Sequence, residues 1–111
     1  MRYLSAKLIL TALTVASTMF ASSAFAVDPA DRQKLLDTGS CVGCDLRKAY
    51  LRGADLNGAN LWAANLTGAI LEDANLKGAD LTNAILKSAD MQDVILCNTT
   101  MPDGSVIYSG C

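Results

Sequence analysis

The chain has 111 residues, about half of them hydrophobic, with nine basic and eleven acidic side chains and a formal net charge of −2. That length holds one domain at most, there is no basic run of the kind nucleic acid selects, and the balance is too weakly acidic for a disordered tail. Histidine is absent, which removes the usual general base, the usual pH switch and the commonest metal ligand together.

The first residues read as a targeting segment. Arg2 and Lys7 give a positive start, residues 8–20 are largely apolar, and Ala24-Phe25-Ala26 puts small residues where a signal peptidase reads them. The apolar run spans thirteen residues, short of the ~20 that a membrane-crossing helix needs. Residues 1–26 are therefore expected to form a cleavable signal peptide. No cysteine stands near the cleavage point to take a lipid anchor, and no arginine pair precedes the apolar run, so the general secretory route is expected. The mature chain, 27–111, keeps seven basic and eleven acidic residues, a net charge of −4.

Residues 27–43 carry helix-start and helix-stop signals. Asp28 can cap a helix, with Pro29 at its first position and Asp31 in its first turn. Gly39 stands just past its expected end. Leu35 and Leu36 supply apolar side chains to cover whatever follows.

A repeat then runs from Cys44 to Asp103. Every fifth residue from Leu46 is leucine or methionine: Leu46, Leu51, Leu56, Leu61, Leu66, Leu71, Leu76, Leu81, Leu86, Met91, Leu96 and Met101. Two residues before each stands a small one, from Cys44 and Ala49 through Ala89 to Val94 and Thr99. A period of five suits neither a helix, which wants three and four, nor a strand, which wants two. It suits a chain that turns a corner once per repeat, with the two apolar side chains inward and the residue between them, such as Asp55, Asn65 or Asp80, outward. Gly53, Gly58, Gly68, Gly78, Asn83 and Ser88, two after the leucine, are what tight turns select. Past the repeat, Pro102-Asp103-Gly104 signals a turn, and residues 104–111 hold Val106, Ile107 and Tyr108 as closing apolar residues, in a short strand.

The motif A-(D/N)-L-x-x, as in Ala54-Asp55-Leu56-Asn57-Gly58 and Ala64-Asn65-Leu66-Thr67-Gly68, resembles the pentapeptide-repeat family. The segments from Leu35 to Leu46 and from Cys97 to Gly104 resemble the ends of its small exported members, found in the bacterial periplasm and the thylakoid lumen. The resemblance implies an all-β solenoid: a right-handed quadrilateral β-helix with four repeats per coil, here about three coils, a short helical cap before it and a closing segment after it. Residues twenty apart would stack, Leu46 on Leu66 on Leu86. Both open ends of such a column need lids against end-to-end polymerisation.

Four cysteines in a short exported chain without histidine point to two disulfides. On the coil that the resemblance implies, Cys41 and Cys44 precede the first coil while Cys97 lies in the third. Strand spacing separates the ends by about 14 Å, beyond the ~7 Å Cα limit for a bridge. The expected pairs are Cys41–Cys44 and Cys97–Cys111. The same separation opposes a four-cysteine zinc site. A Cys-x-x-Cys redox site at Cys41 and Cys44 is the rival reading, although the strand–helix unit that carries such sites has no counterpart here.

The residue after each leucine is expected outside, in ladders of Arg47, Thr67 and Lys87; Arg52, Glu72 and Gln92; Asn57, Lys77 and Cys97; and Trp62, Thr82 and Pro102. Exposed aromatics are enriched at binding surfaces, so Trp62, with Arg52 and Tyr50, are the candidate contact residues. The expected function is a non-enzymatic structural or protein-interaction module of the periplasm, a lumen or the exterior. It is expected to act as a monomer without cofactor, metal, nucleic acid or membrane anchor, with an unidentified protein partner. Two alternatives are a thiol–disulfide redox protein using Cys41 and Cys44, and, from the family, a DNA-mimicking topoisomerase binder, which export and a net −4 oppose.

Overall fold

The computed structural model describes residues 29–111. The expected signal peptide and the Asp28 cap lie outside them. Helix α1, Pro29–Thr38, is followed by a long run of short turns and single-residue bridges, and then by two short strands, β1 (Thr99–Thr100) and β2 (Val106–Ile107).

The bridges reveal the period. Each is parallel and joins residues twenty apart, and together they form four ladders: Ser40–Asn60–Asp80–Thr100, Asp45–Asn65–Ile85, Tyr50–Ile70–Asp90 and Asp55–Asn75–Ile95. Twenty residues are four repeats, so each repeat supplies one side of a four-sided circuit.

The repeat around Leu66 shows why five residues suffice. Ala64 N–H donates to the Leu61 carbonyl at 3.0 Å and closes a turn, while Asn65 N–H reaches back to the Cys44 carbonyl at 2.9 Å. Leu66 N–H and Gly68 N–H reach forward to the carbonyls of Ile85 (2.8 Å) and Lys87 (2.9 Å). The remaining amide, of Thr67, donates to Asn65 Oδ1 at 3.1 Å. All five N–H groups have acceptors, as buried or half-buried backbone demands.

The residue two after the leucine takes a left-handed conformation in every repeat, with φ between 53° and 70° from Gly43 to Asn98. A turn closed by an i to i+3 bond with positive φ at its third residue is type II. Glycine fills that position at Gly53, Gly58, Gly68 and Gly78, but Lys48, Ala63, Asp73, Asp93 and Asn98 adopt it too.

Inside, the leucines from Leu46 to Leu81 pack with Ala49, Ala59, Ala64, Ala69, Ala74, Ala79 and Ala84 into one core with Leu35, Cys41 and Cys44, and Ala54 is half-buried against it. Nearer the C-terminus, Leu86, Ala89, Met91, Val94, Leu96 and Met101 are half-buried.

The two ends are closed unequally. Helix α1 buries Leu35 to 1 % exposure, and its polar residues meet the backbone of the first repeats. Asp31 Oδ2 accepts the Asp45 N–H at 2.8 Å, and Arg32 Nε donates to the Tyr50 carbonyl at 2.8 Å. Leu36, expected to share the covering role, is 40 % exposed instead, because consecutive helical residues project about 100° apart. At the other end β1 and β2 pair antiparallel, Thr99 with Ile107 and Thr100 with Val106. The intervening turn is held by Gly104 N–H on the Met101 carbonyl (2.8 Å) and Met101 N–H on that of Ser105 (2.7 Å). Of the three residues expected to close this end, Ile107 is half-buried while Val106 and Tyr108 are exposed, since side chains alternate along a strand.

Candidate interaction faces and the two disulfides

The sequence register begins one repeat earlier than Cys44. Cys41 occupies the leucine position of this added repeat, whose N–H groups at Cys41 and Gly43 donate to the carbonyls of Asn60 and Trp62, both at 2.8 Å, and Cys44 occupies the alanine position of the repeat that follows. Their disulfide, Cα to Cα 5.3 Å, therefore stands in the interior column, with Cys41 fully buried. The signal was present in the spacing: Cys41 lies five before Leu46 and Gly43 ten before Gly53, but cysteine in place of leucine hid it.

Cys97 pairs with Cys111, Cα to Cα 4.8 Å. The expectation that Cys97 would stand exposed in the Asn57–Lys77 ladder is corrected: it is buried, because residues 108–111 fold back over it and place Gly110 N–H 3.3 Å from the Leu96 carbonyl. Among the described residues no cysteine is free.

The outer surface differs from side to side. On the side that starts at Asp45, Arg47 grips Asp45 through Nε (2.8 Å) and Nη2 (2.7 Å). That grip holds the Asp45 carboxyl below the ordinary carboxylate range and raises the Arg47 guanidinium. Lys48 and Lys87 make this side basic. The next side carries Tyr50 and Arg52, with Arg52 Nη2 3.2 Å from the Glu72 carboxylate. Beyond Glu72 come Asp73, Asp90 and Asp93, with Asp73 N–H donating to the Gln92 carbonyl at 3.0 Å.

Trp62 stands two sides away from Tyr50 and Arg52, in a column that backbone bonds stack as Val42, Trp62, Thr82 and Pro102. Val42 and Trp62 are both exposed, the latter by 44 %. This column lacks charge, and its neighbour Asp80 is held low by the hydroxyl and then the amide of Thr82. The structure thus brings Tyr50 and Arg52 together and leaves Trp62 on a separate face. Val42, at the head of the Trp62 column, escaped the sequence reading because the register was begun too late.

Among the described residues, no group of three or more cysteine, aspartate or glutamate side chains is placed to hold a metal ion, and no helix is long and apolar enough to cross a membrane.

Residues 44–83 and 64–101 match the family described as pentapeptide repeats, in eight copies. No curated protein matches by sequence. Among solved structures, the chain is similar to a pentapeptide repeat protein of the Arabidopsis thaliana thylakoid lumen, with 27 % identity over 77 % of this chain and 68 % of that one, and a TM-score of 0.52. It is also similar to a pentapeptide repeat protein involved in heterocyst differentiation regulation in the cyanobacterium Nostoc, with 35 % identity over 63 % of this chain and 40 % of that one, and a TM-score of 0.33. The fold such proteins imply is a right-handed quadrilateral β-helix, and the four ladders described above have the matching four-sided period.

Proposed function

Because the chain belongs to the pentapeptide-repeat family, we propose that it is an exported, non-enzymatic module that offers the faces of a three-coil β-helix to a protein partner. Members of this family are generally structural or interaction modules. One observation carries the reading: leucine and alanine columns fill the interior from Leu46 to Ala84, so recognition falls to the outside. About three coils is supported by the run of repeats from Cys41 to Met101, at four to each twenty-residue period.

Export is supported by the N-terminal pattern and by two disulfides, which persist in oxidising compartments. The lumenal Arabidopsis neighbour agrees with a periplasm-like or lumenal site. Burial of Cys41–Cys44 beneath α1 favours stapling over thiol catalysis at that pair. We assign partner contact to the uncharged column headed by Val42 and Trp62, and to Tyr50 and Arg52 as a second patch. The module acts as a single chain without cofactor, nucleic acid or membrane anchor.

The test is photo-crosslinking in the native compartment, with the probe at position 62, at position 52 and, as control, at Lys77. One dominant protein captured from position 62 or 52 and not from 77 supports the reading. Absence of any specific product from both faces overturns it.

A further inference from the structure

The two disulfides differ in what covers them. Cys41 and Cys44 lie within the core under α1, at 0 % and 6 % exposure. Cys97 is equally buried, but its partner Cys111 is the exposed last residue of the chain. The two halves of this second bridge are anchored unequally. The Cys97 carbonyl accepts the Gly78 N–H at 2.9 Å and the Thr99 hydroxyl at 3.3 Å, which ties it to the stacked repeats. The Cys111 N–H donates to Tyr108, within its own segment. Past β2, among the described residues, the terminal strap meets the repeats through the Gly110–Leu96 hydrogen bond and the disulfide itself.

We propose that Cys97–Cys111 is a reducible latch, a substrate site for a dithiol oxidoreductase, whose opening frees the strap over Leu96 while Cys41–Cys44 stays closed. A thiolate of the dithiol attacks Cys111 Sγ, the Sγ–Sγ bond breaks, and Cys97 leaves with the electron pair and takes up a proton. The reductant's second thiolate then attacks its own sulfur in the mixed disulfide and releases Cys111, which is protonated in turn. Two electrons pass to the protein and the dithiol ends as a disulfide. Access favours this bridge, since exchange requires a thiolate to reach a sulfur. Loss of the strap leaves half-buried Leu96 uncovered. The inference is independent of which outer face binds a partner.

The experiment treats the oxidised native protein with graded dithiothreitol, and separately with thioredoxin as catalyst, then alkylates and maps the labelled cysteines. Cys97 and Cys111 are expected to label at least tenfold faster than Cys41 and Cys44. Hydrogen exchange should rise at least tenfold over residues 108–111 and stay unchanged over residues 45–84. Equal labelling rates, earlier labelling of Cys41 and Cys44, or exchange that rises everywhere or nowhere would each overturn the latch. The double variant Cys97→Ser/Cys111→Ser should show the reduced pattern without reductant. Should that variant fail to fold, the dithiothreitol measurement on the native chain still decides.

Discussion

Asn65 Oδ1 accepts both the amide N–H of Thr67 at 3.1 Å and its hydroxyl at 2.6 Å. In the repeats from Leu61 to Leu81, stacked on both sides, the amide after the leucine is the one N–H that no backbone carbonyl receives. Where an aspartate or asparagine stands two residues before this amide, it provides the acceptor: Asp45 for Arg47, Asp55 for Asn57, Asn60 for Trp62, Asn75 for Lys77, Asp80 for Thr82 and Asp90 for Gln92. The outward polar residue of the repeat is therefore a structural part of its turn. Asn65→Ala should lower stability by about 1 kcal/mol, and Asn65→Asp, which keeps the acceptor, should stay within about 0.5 kcal/mol of the parent. Urea unfolding at neutral pH reads both.

The left-handed turn residues give a reciprocal pair. Ala63 sits at φ 58° and Gly58 at φ 69°, and a Cβ added at Gly58 meets no atom within 4 Å. The left-handed region costs a side-chain-bearing residue roughly 1–2 kcal/mol. Offset by glycine's greater freedom when unfolded, Ala63→Gly should still stabilise and Gly58→Ala destabilise, each by about 1 kcal/mol. The two melting temperatures should move in opposite directions.

The acid limb of stability should depend on Asp80. Its carboxyl, bonded by the Thr82 hydroxyl and amide, lies below its ordinary value. A carboxyl whose folded value is depressed lends stability that is complete above the ordinary range and is lost as pH falls through the folded value. Melting temperature should therefore hold from neutrality to about pH 5 and decline below about pH 4. Asp45, held down by Arg47, and Asp103, held down by Ser105, add to the same limb. Asp80→Asn retains an acceptor that does not titrate there, so its decline should be shallower. An identical acid limb in parent and variant would refute the assignment.

The helical lid rests on one leucine. Leu35→Ala should cost about 2–5 kcal/mol, the range for a buried leucine whose site collapses only in part. Leu36→Ala, on the exposed flank, should fall within about 0.5 kcal/mol of the parent. Equal effects in calorimetry would mean that α1 packs through a different face.

Much of this architecture was legible from the residues. The five-residue spacing placed Leu46 through Leu81 and their alanines inside, and Asp45 through Asp90 at the turns. Local signals failed where the geometry is shared by residues that do not advertise it. Ala63 and Lys48 adopt the same turn as Gly58 because the bond that closes the turn and the bond each makes to the next coil hold them there, not because their side chains prefer it. Cys41 continues the interior column, yet a cysteine at a leucine position reads first as a bridge. Cys97 changed from an outer residue to a covered one through a fold-back of the last residues, a contact between Leu96 and Gly110 that spacing cannot convey. Stacking residues twenty apart places Arg52 over Glu72, as observed, but misses Val42 above Trp62 when the register is begun at Cys44.

The measurement that bears most directly on an exported, disulfide-stapled module is the intact mass of the protein recovered, without reductant, from the producing cell's exported fraction. The expected species begins at Val27 and has lost four hydrogens to two disulfides. Recovery of the chain in the cytoplasm, beginning at Met1 and carrying reduced cysteines, would contradict export and reopen the readings that depend on an intracellular partner.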